Sequence, residues 1–387
     1  MALSPLFGRR IHISGSICTD PAIATREAVE DARALVIALI GQLVRRGANF
    51  VIPVDAEPKR PDGMPICFDW DIWQALFRSL ADRPTDAYAP AAIAVTHHKT
   101  ENQIPADRAE MWDKLSASPQ VRIESAAQWS MNARRMDTQA RFGDILITLG
   151  GDEGVLHLAN RYHEAGKPVV PLNLAIGKSG CGSRRLFDQA ENSEESGRFF
   201  DVEGGGSAHS WINRLRFPVR RSIEDRVACL VELLEALERP RAFGVRILNP
   251  DLPDYTAVDS FFDVVVKPVL EDEMGYRLTV IDANHQHEHA RVDEEIFAQI
   301  ARAGLVVADL TGDRPNCYLE LGFALGRSTS TLVTAKKGSK LPFDVTTFSA
   351  FLWRDEGSVR DRRTLFRHHI AAVGNRPPLV RVRALVR

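Results

Sequence analysis

The chain has 387 residues, 44% of them hydrophobic, which is enough apolar material for two cores. Its formal net charge of −2 gives bulk electrostatics no means of recruiting nucleic acid or an anionic membrane. Five scattered cysteines (Cys18, Cys67, Cys181, Cys229, Cys317), without a CxxC pair, speak against a disulfide framework and fit a reducing compartment.

The start, "MALSPLFGRRIHISG", lacks an apolar signal core followed by a cleavage site. No apolar run reaches the roughly 20 residues needed to span a bilayer. The longest, "ALVIALIGQLV", lies between "REAVEDAR" and Arg45–Arg46 and reads as a buried helix. The expectation is a soluble, cytoplasmic protein with no membrane partner and no clear nucleic-acid partner. The basic end "PPLVRVRALVR" is a local exception, read as a terminal strand or tail.

The first 175 residues alternate apolar strands with helical stretches. "RIHISG" is a strand ending in Gly15, and "REAVEDARALVIALIGQLVRRG" a helix stopped by Gly47. Strand "NFVIPV", helix "DWDIWQALFRSLAD", strand "AAIAVTH", helix "ADRAEMWDKL" and strand "VRIES" follow. Helix "SMNARRMDTQAR", strand "DILITLGG", helix "GVLHLANRYHEAG" and strand "PVVPLNL" complete the series. Residues 176–210, polar and glycine-rich, read as a long loop or lid. Helix "SIEDRVACLVELLEALE" leads to a boundary near residue 240.

A second series begins there. "FGVRILNPD", "YRLTVID", "LVVADLT" and "STLVTAK" are strands. "AVDSFFDVVVKPVLEDEMG", "ARVDEEIFAQIARAG", "PNCYLELGFALGR" and "SVRDRRTLFRHHIAAV" are helices. The fold class is α/β, in two domains whose parallel sheets are covered on both faces.

Such sheets bind ligands at the C-terminal strand ends. In the first domain three pieces converge there: Gly15 and Ser16 in "SGSICTD", Arg134 in "MNARRM", and Gly150, Gly151 and Gly154 in "TLGGDEGV". Together they resemble the LOG/SLOG superfamily of cytokinin-type phosphoribohydrolases and sensor domains of bacterial defence proteins, over most of residues 9–177. The enzymes of that superfamily pair a Met-x-x-Arg-Lys helix with a Pro-Gly-Gly-x-Gly-Thr-x-x-Glu loop. Here Leu149 replaces Pro, the loop has one extra residue, Val155 replaces Thr, and the catalytic Glu position falls on Leu158. A leucine cannot do acid–base chemistry, so binding or sensing of a nucleotide or NAD-derived ligand is expected from this domain.

In the second domain Asp309 ends an apolar strand, Asp313 or Thr311 is placed to cap the next helix, and Pro315 suits its first position. Glu320 sits about one turn in, on one face with Asn316, beside a buried face marked by Leu321, Ala324 and Leu325. From the residues alone, Glu320 either favours the positive helix end or faces a pocket as an ionised nucleophile. Gly322 leaves room for a backbone or ligand to approach.

"ADLTGDRPNCYLELGFALG" and "LPFDV" resemble the nucleoside 2-deoxyribosyltransferase-like and TIR-like proteins, from about Phe243 to Trp353. The resemblances imply Rossmann/flavodoxin-like sheets and cleavage of N-glycosidic bonds of nucleosides, nucleotides or NAD. They imply Glu320 and Asp309 as catalytic residues, with Asn316, Tyr318, Asp282 and Asp344 at the substrate. No cofactor and no metal are implied. The domain plan is 1–205 for nucleotide sensing, 206–240 as linker and connecting helix, and 241–387 for cleavage, a combination resembling antiviral defence effectors. Two alternatives stand: a nucleotide-binding signalling module without turnover, and a phosphoribohydrolase acting through the first domain. A homo-oligomer is compatible with such effectors, although the sequence shows no interface.

Other features have plainer readings. His285, His287 and His289 with Glu288, and His97 with His98, read as exposed polar loops rather than zinc ligands. Trp70, Trp73, Leu76 and Phe77 have helix-core spacing.

Overall fold

The computed structural model describes residues 4–374 apart from 86, 88–89, 98–99, 101–102, 127–130, 193–195, 204–205, 218–220, 282–291, 328 and 343–348. The chain forms two compact units, Met1–Glu238 and Arg239–Arg387.

In the first unit, strands β1 (Arg10–Ser16), β2 (Asn49–Pro53), β3 (Ala92–Thr96), β4 (Val121–Ser125), β5 (Ile145–Gly150) and β6 (Val169–Leu172) form an all-parallel sheet. Its order is β4-β3-β2-β1-β5-β6. The helices are α1 (Arg26–Arg45), α2 (Asp69–Ser79), α3 (Ala109–Ser116), α4 (Met131–Phe142), α5 (Glu153–Glu164), α6 (Gly182–Asn192), α7 (Ala208–Arg214) and α8 (Ile223–Ala236). Strand alternation divides the core between the two faces. Ile11, Ile13, Ile145, Ile147 and Leu149 join α1, α2 and α8 on one side. Leu146 joins α5 and α6 residues on the other.

Thr25 caps α1 by accepting from the Ala28 N–H at 3.3 Å, and Val29, Ala32, Leu35, Leu39 and Leu43 bury one stripe. The stretch read as connecting helix, α8, packs against α1 within this unit, with Arg226 pairing to Asp31. Trp70 and Trp73 are buried as their spacing predicts, but Phe77 is 39% exposed because it falls on the outer side of α2.

The stretch expected over 176–210 as a loop or lid carries a helix, α6, across its middle. In α6, Leu186, Phe187 and Ala190 are buried, and the Ser183 hydroxyl bonds the carbonyls of Thr148 and Leu172 at 2.8 and 2.9 Å. Glycine and serine here serve close packing: a Cβ on Gly182 would lie 2.4 Å from the Asp152 carbonyl oxygen.

The second unit holds β7 (Arg241–Val245), β8 (Arg277–Val280), β9 (Leu305–Asp309), β10 (Ser330–Lys336) and β11 (Phe351–Trp353), all parallel in the order β11-β10-β9-β7-β8. Its helices are α9 (Tyr255–Phe261), α10 (Val292–Arg302), α11 (Pro315–Gly326) and α12 (Val359–Gly374). After α9 the chain widens into π-helical turns over Phe262–Val266 and Pro268–Glu273. Pro268 lacks an N–H and clashes with a tight helical register, which favours such widening. Leu305 and Val307 face α9 and α12, whereas Val306 and Ala308 face α10 and α11. Strand β11, three residues long, is too short to show a sequence period.

Among the described residues no helix is long and apolar enough to cross a membrane.

Candidate functional site

Strand order reverses between β1 and β5 in the first sheet, and between β7 and β9 in the second. Crevices of open parallel sheets form at such points.

At the first reversal, Ser16 pairs with Gly150. The two strands approach so closely that a Cβ on Gly15 would lie 1.7 Å from the Leu149 carbonyl oxygen. Gly150 and Gly151 turn the chain toward α5 with φ of 54° and 65°, a conformation that glycine adopts freely. The Gly151 N–H donates to the Ser16 carbonyl at 2.8 Å, so it is not turned out toward a ligand. Gly154, as the second residue of α5, has an N–H with no carbonyl one turn back in its own helix. Leu158 is buried among apolar residues.

Arg134 is exposed on α4. Its neighbour Arg135 turns to the strand ends and pairs with Asp55, just beyond β2. Asp55 also accepts from the Ala56 N–H at 2.8 Å and lies 3.3 Å from His97 Nε2. Against burial, which raises it, the Arg135 hydrogen bond and charge hold Asp55 below the usual carboxylate range. Asp69, in the first turn of α2, is half-buried, and burial pushes its carboxyl up to about 7. Nearby, burial pushes the Cys67 thiol up to about 12, so it is not a thiolate nucleophile.

Asp55, Asp69 and Arg135 are candidate site residues that the sequence alone does not single out. The available signal was an acid two residues after a strand end, and an arginine adjacent to the one chosen.

In the second unit Asp309 is fully buried. Its Oδ2 accepts from Thr334 Oγ1 and Trp353 Nε1, each at 2.7 Å, and its Oδ1 accepts from the Thr311 N–H at 3.1 Å. It therefore ties the ends of β9, β10 and β11 together. Burial raises its carboxyl above the ordinary range. Neither Asp313 nor Thr311 caps α11. The cap position is Arg314, without a side-chain cap bond, and Pro315 follows as the first helical residue. Asp313 holds a φ of 51°, and burial pushes the nearby Tyr318 phenol up. Thr311 Oγ1 accepts from the Lys336 N–H at 2.9 Å.

Glu320 lies in the second turn of α11, beyond the reach of the helix-end charge. No hydrogen-bond or ion-pair partner among the described residues takes its carboxylate. Burial pushes its carboxyl up to about 7. Asn316 is exposed one turn earlier, and a Cβ on Gly322 would meet nothing among the described residues within 4 Å. Leu321 and Ala324 are buried, Leu325 half-buried. Cys317, beside Glu320 and Asp309, is pushed up to about 12 by burial. Asp282, Asp344, His98, His285, His287, Glu288 and His289 lie outside the described residues. Among the described residues, no group of three or more His, Cys, Asp and Glu could hold a metal.

The fold is that of an α/β protein with two all-parallel sheets, with acidic side chains beyond β2 and on α2 in the first unit and on α11 in the second. Residues 6–234 match the family described as ATP nucleosidase Cap17-like, N-terminal, and the chain belongs to that family. No curated protein matches the sequence. Among solved structures, DNA processing protein A from Helicobacter pylori, described for its single-stranded DNA binding mode, is similar at 15% identity. That match has a TM-score of 0.32 and covers 54% of this chain and 80% of that chain.

Proposed function

We propose that the protein is a nucleotide-sensing effector, acting in antiviral defence, that cleaves N-glycosidic bonds through its second unit. Family membership supplies the reaction class, since a nucleosidase separates a base from its sugar. The observation that carries the assignment to the second unit is Glu320: a carboxylate with no described partner, on the helix that follows β9 at the switch point. The first unit, LOG/SLOG-like, binds the nucleotide or NAD-derived signal. The second, nucleoside deoxyribosyltransferase-like and TIR-like, holds the nucleoside or nucleotide to be cleaved.

The C1′–N bond breaks with positive charge building on the sugar, and ionised Glu320 stabilises or traps that cation. Water then releases the sugar, and the base departs with a proton. Asn316 and Tyr318 border the substrate. Asp309 is enclosed by three donors and acts as a positioning residue, fixing the turn that launches α11.

The test is base release, followed by chromatography, from ATP, NAD and a panel of nucleosides and nucleoside monophosphates. Release by the parent and loss of at least about a hundredfold in Glu320→Gln is the expected result. Undiminished release by Glu320→Gln would overturn the assignment.

A second reading places hydrolysis in the first unit. It is favoured by Asp69, a half-buried acid near Arg135. Under that reading Asp69→Asn abolishes release and Glu320→Gln retains it.

A further inference from the structure

Asp55 lies two residues beyond the end of β2, the strand beside β1 at the switch point. In dinucleotide-binding parallel sheets an acid hydrogen-bonds the ribose of a ligand lying across the strand ends. Its carboxylate is held in orientation by Arg135 on one oxygen, and by the Ala56 N–H and His97 on the other. The bridge is not sealed: 29% of the Asp55 side chain and 20% of the Arg135 side chain remain exposed. A guanidinium has five N–H donors, and only one hydrogen bond, to Asp55, occupies Arg135 among the described residues. Asp69 stands within electrostatic reach of both, and no hydrogen bond or ion pair among the described residues takes its carboxyl.

Charge selects the ligand chemistry. One guanidinium faces two carboxyl groups, so the cluster has no surplus positive charge with which to hold a phosphate. It does offer fixed acceptors beside fixed donors, the pattern that two adjacent hydroxyls satisfy. We propose that Asp55, Arg135 and His97 form a recognition site for the ribose diol of a nucleotide lying across the first sheet. This rests on the reading of the first unit as a nucleotide binder. The 5′-phosphates then lie toward β1 and β5, one to two strand spacings away, or about 5–10 Å. The backbone is continuous in that direction, because Cys67, beside the cluster, bridges to Ser16.

The experiment uses the full chain carrying Glu320→Gln, so that the probe is not consumed. ATP and 2′,3′-dideoxy-ATP are titrated by calorimetry, and hydrogen exchange locates the protected peptides. The expected result is about tenfold tighter binding of ATP. Protection should fall on residues 53–57 and 134–142. Asp55→Asn should bring the ratio of the two affinities close to one. Arg135→Gln, on a half-exposed helix face, should act in the same direction and guards against a folding defect at Asp55. Equal affinity in the parent, an unchanged ratio in both variants, or protection confined to residues 305–326 would overturn the proposal. Binding without diol discrimination sinks this proposal alone, whereas no binding of either nucleotide sinks the first-unit reading with it.

Discussion

Near neutral pH Glu320 is divided between its two protonation states, because burial lifts its carboxyl from 4.5 to about 7. The folded chain favours the protonated form relative to the unfolded chain. The resulting stability is complete below 4.5 and is lost as pH rises through about 7. Glu320→Gln escapes that loss. It is expected to exceed the parent in stability by up to about 3 kcal/mol at about pH 8, and to match it near pH 4, in urea melts. Catalysis runs the other way. A carboxylate that must be ionised gives a kcat/KM that rises with pH through about 7, whereas a falling limb there would identify Glu320 as an acid. At Asp309 the two oxygens serve three donors, so Asp309→Asn turns an amide N–H toward buried N–H and O–H groups. The expected cost is about 3 kcal/mol, with lost turnover, against about 1–2 kcal/mol for Trp353→Phe, which removes one donor. Equal losses in the two variants would deny Asp309 its organising role.

Elements whose periodicity is long enough were legible in the sequence: α1, with apolar residues repeating through its 20 residues, and the strands of both sheets apart from the three-residue β11. Segment 176–210 was not, because its glycines and serines imitate a loop. Their purpose appears only in three dimensions, where Gly182 abuts the Asp152 carbonyl and Ser183 bridges two strands. Ser183→Ala is expected to cost about 1–3 kcal/mol, since buried carbonyls lose a donor; a neutral substitution would show that α6 is held by its apolar face alone. Gly15→Ala tests the other close approach. Its Cβ would collide with backbone that no rotamer can move, so a loss of about 3 kcal/mol or more is expected in thermal melts. The candidate site was legible in part for the same reason. Glu320 and the glycine turn sit in patterned stretches, but Arg135, on α4, lies far along the sequence from Asp55, beyond β2, and Asp69, on α2. Only the fold brings them to one edge. A choice between neighbours such as Arg134 and Arg135 depends on helix rotation, which a period of 3.6 residues fixes only against known neighbours.

At the scale of the whole molecule, each unit carries an acid raised toward neutrality, Asp69 on α2 in the first and Glu320 on α11 in the second. The two proposed nucleotide sites, one in each unit, have a kinetic consequence. If the first unit's ligand favours the cleaving state of the second, the coupling typically amounts to about 1–3 kcal/mol, or five- to 150-fold in affinity. A nucleotide that occupies both sites then activates its own cleavage. Base release plotted against ATP is expected to be sigmoidal in the parent. Dideoxy-ATP, which lacks the hydroxyls that Asp55 would recognise, should fail to activate cleavage of a second nucleotide held at low concentration. Asp55→Asn should move the midpoint of the ATP curve upward and flatten its foot. A hyperbolic curve in the parent, unmoved by Asp55→Asn, would leave the two units as separate binders and remove the sensing role from the first.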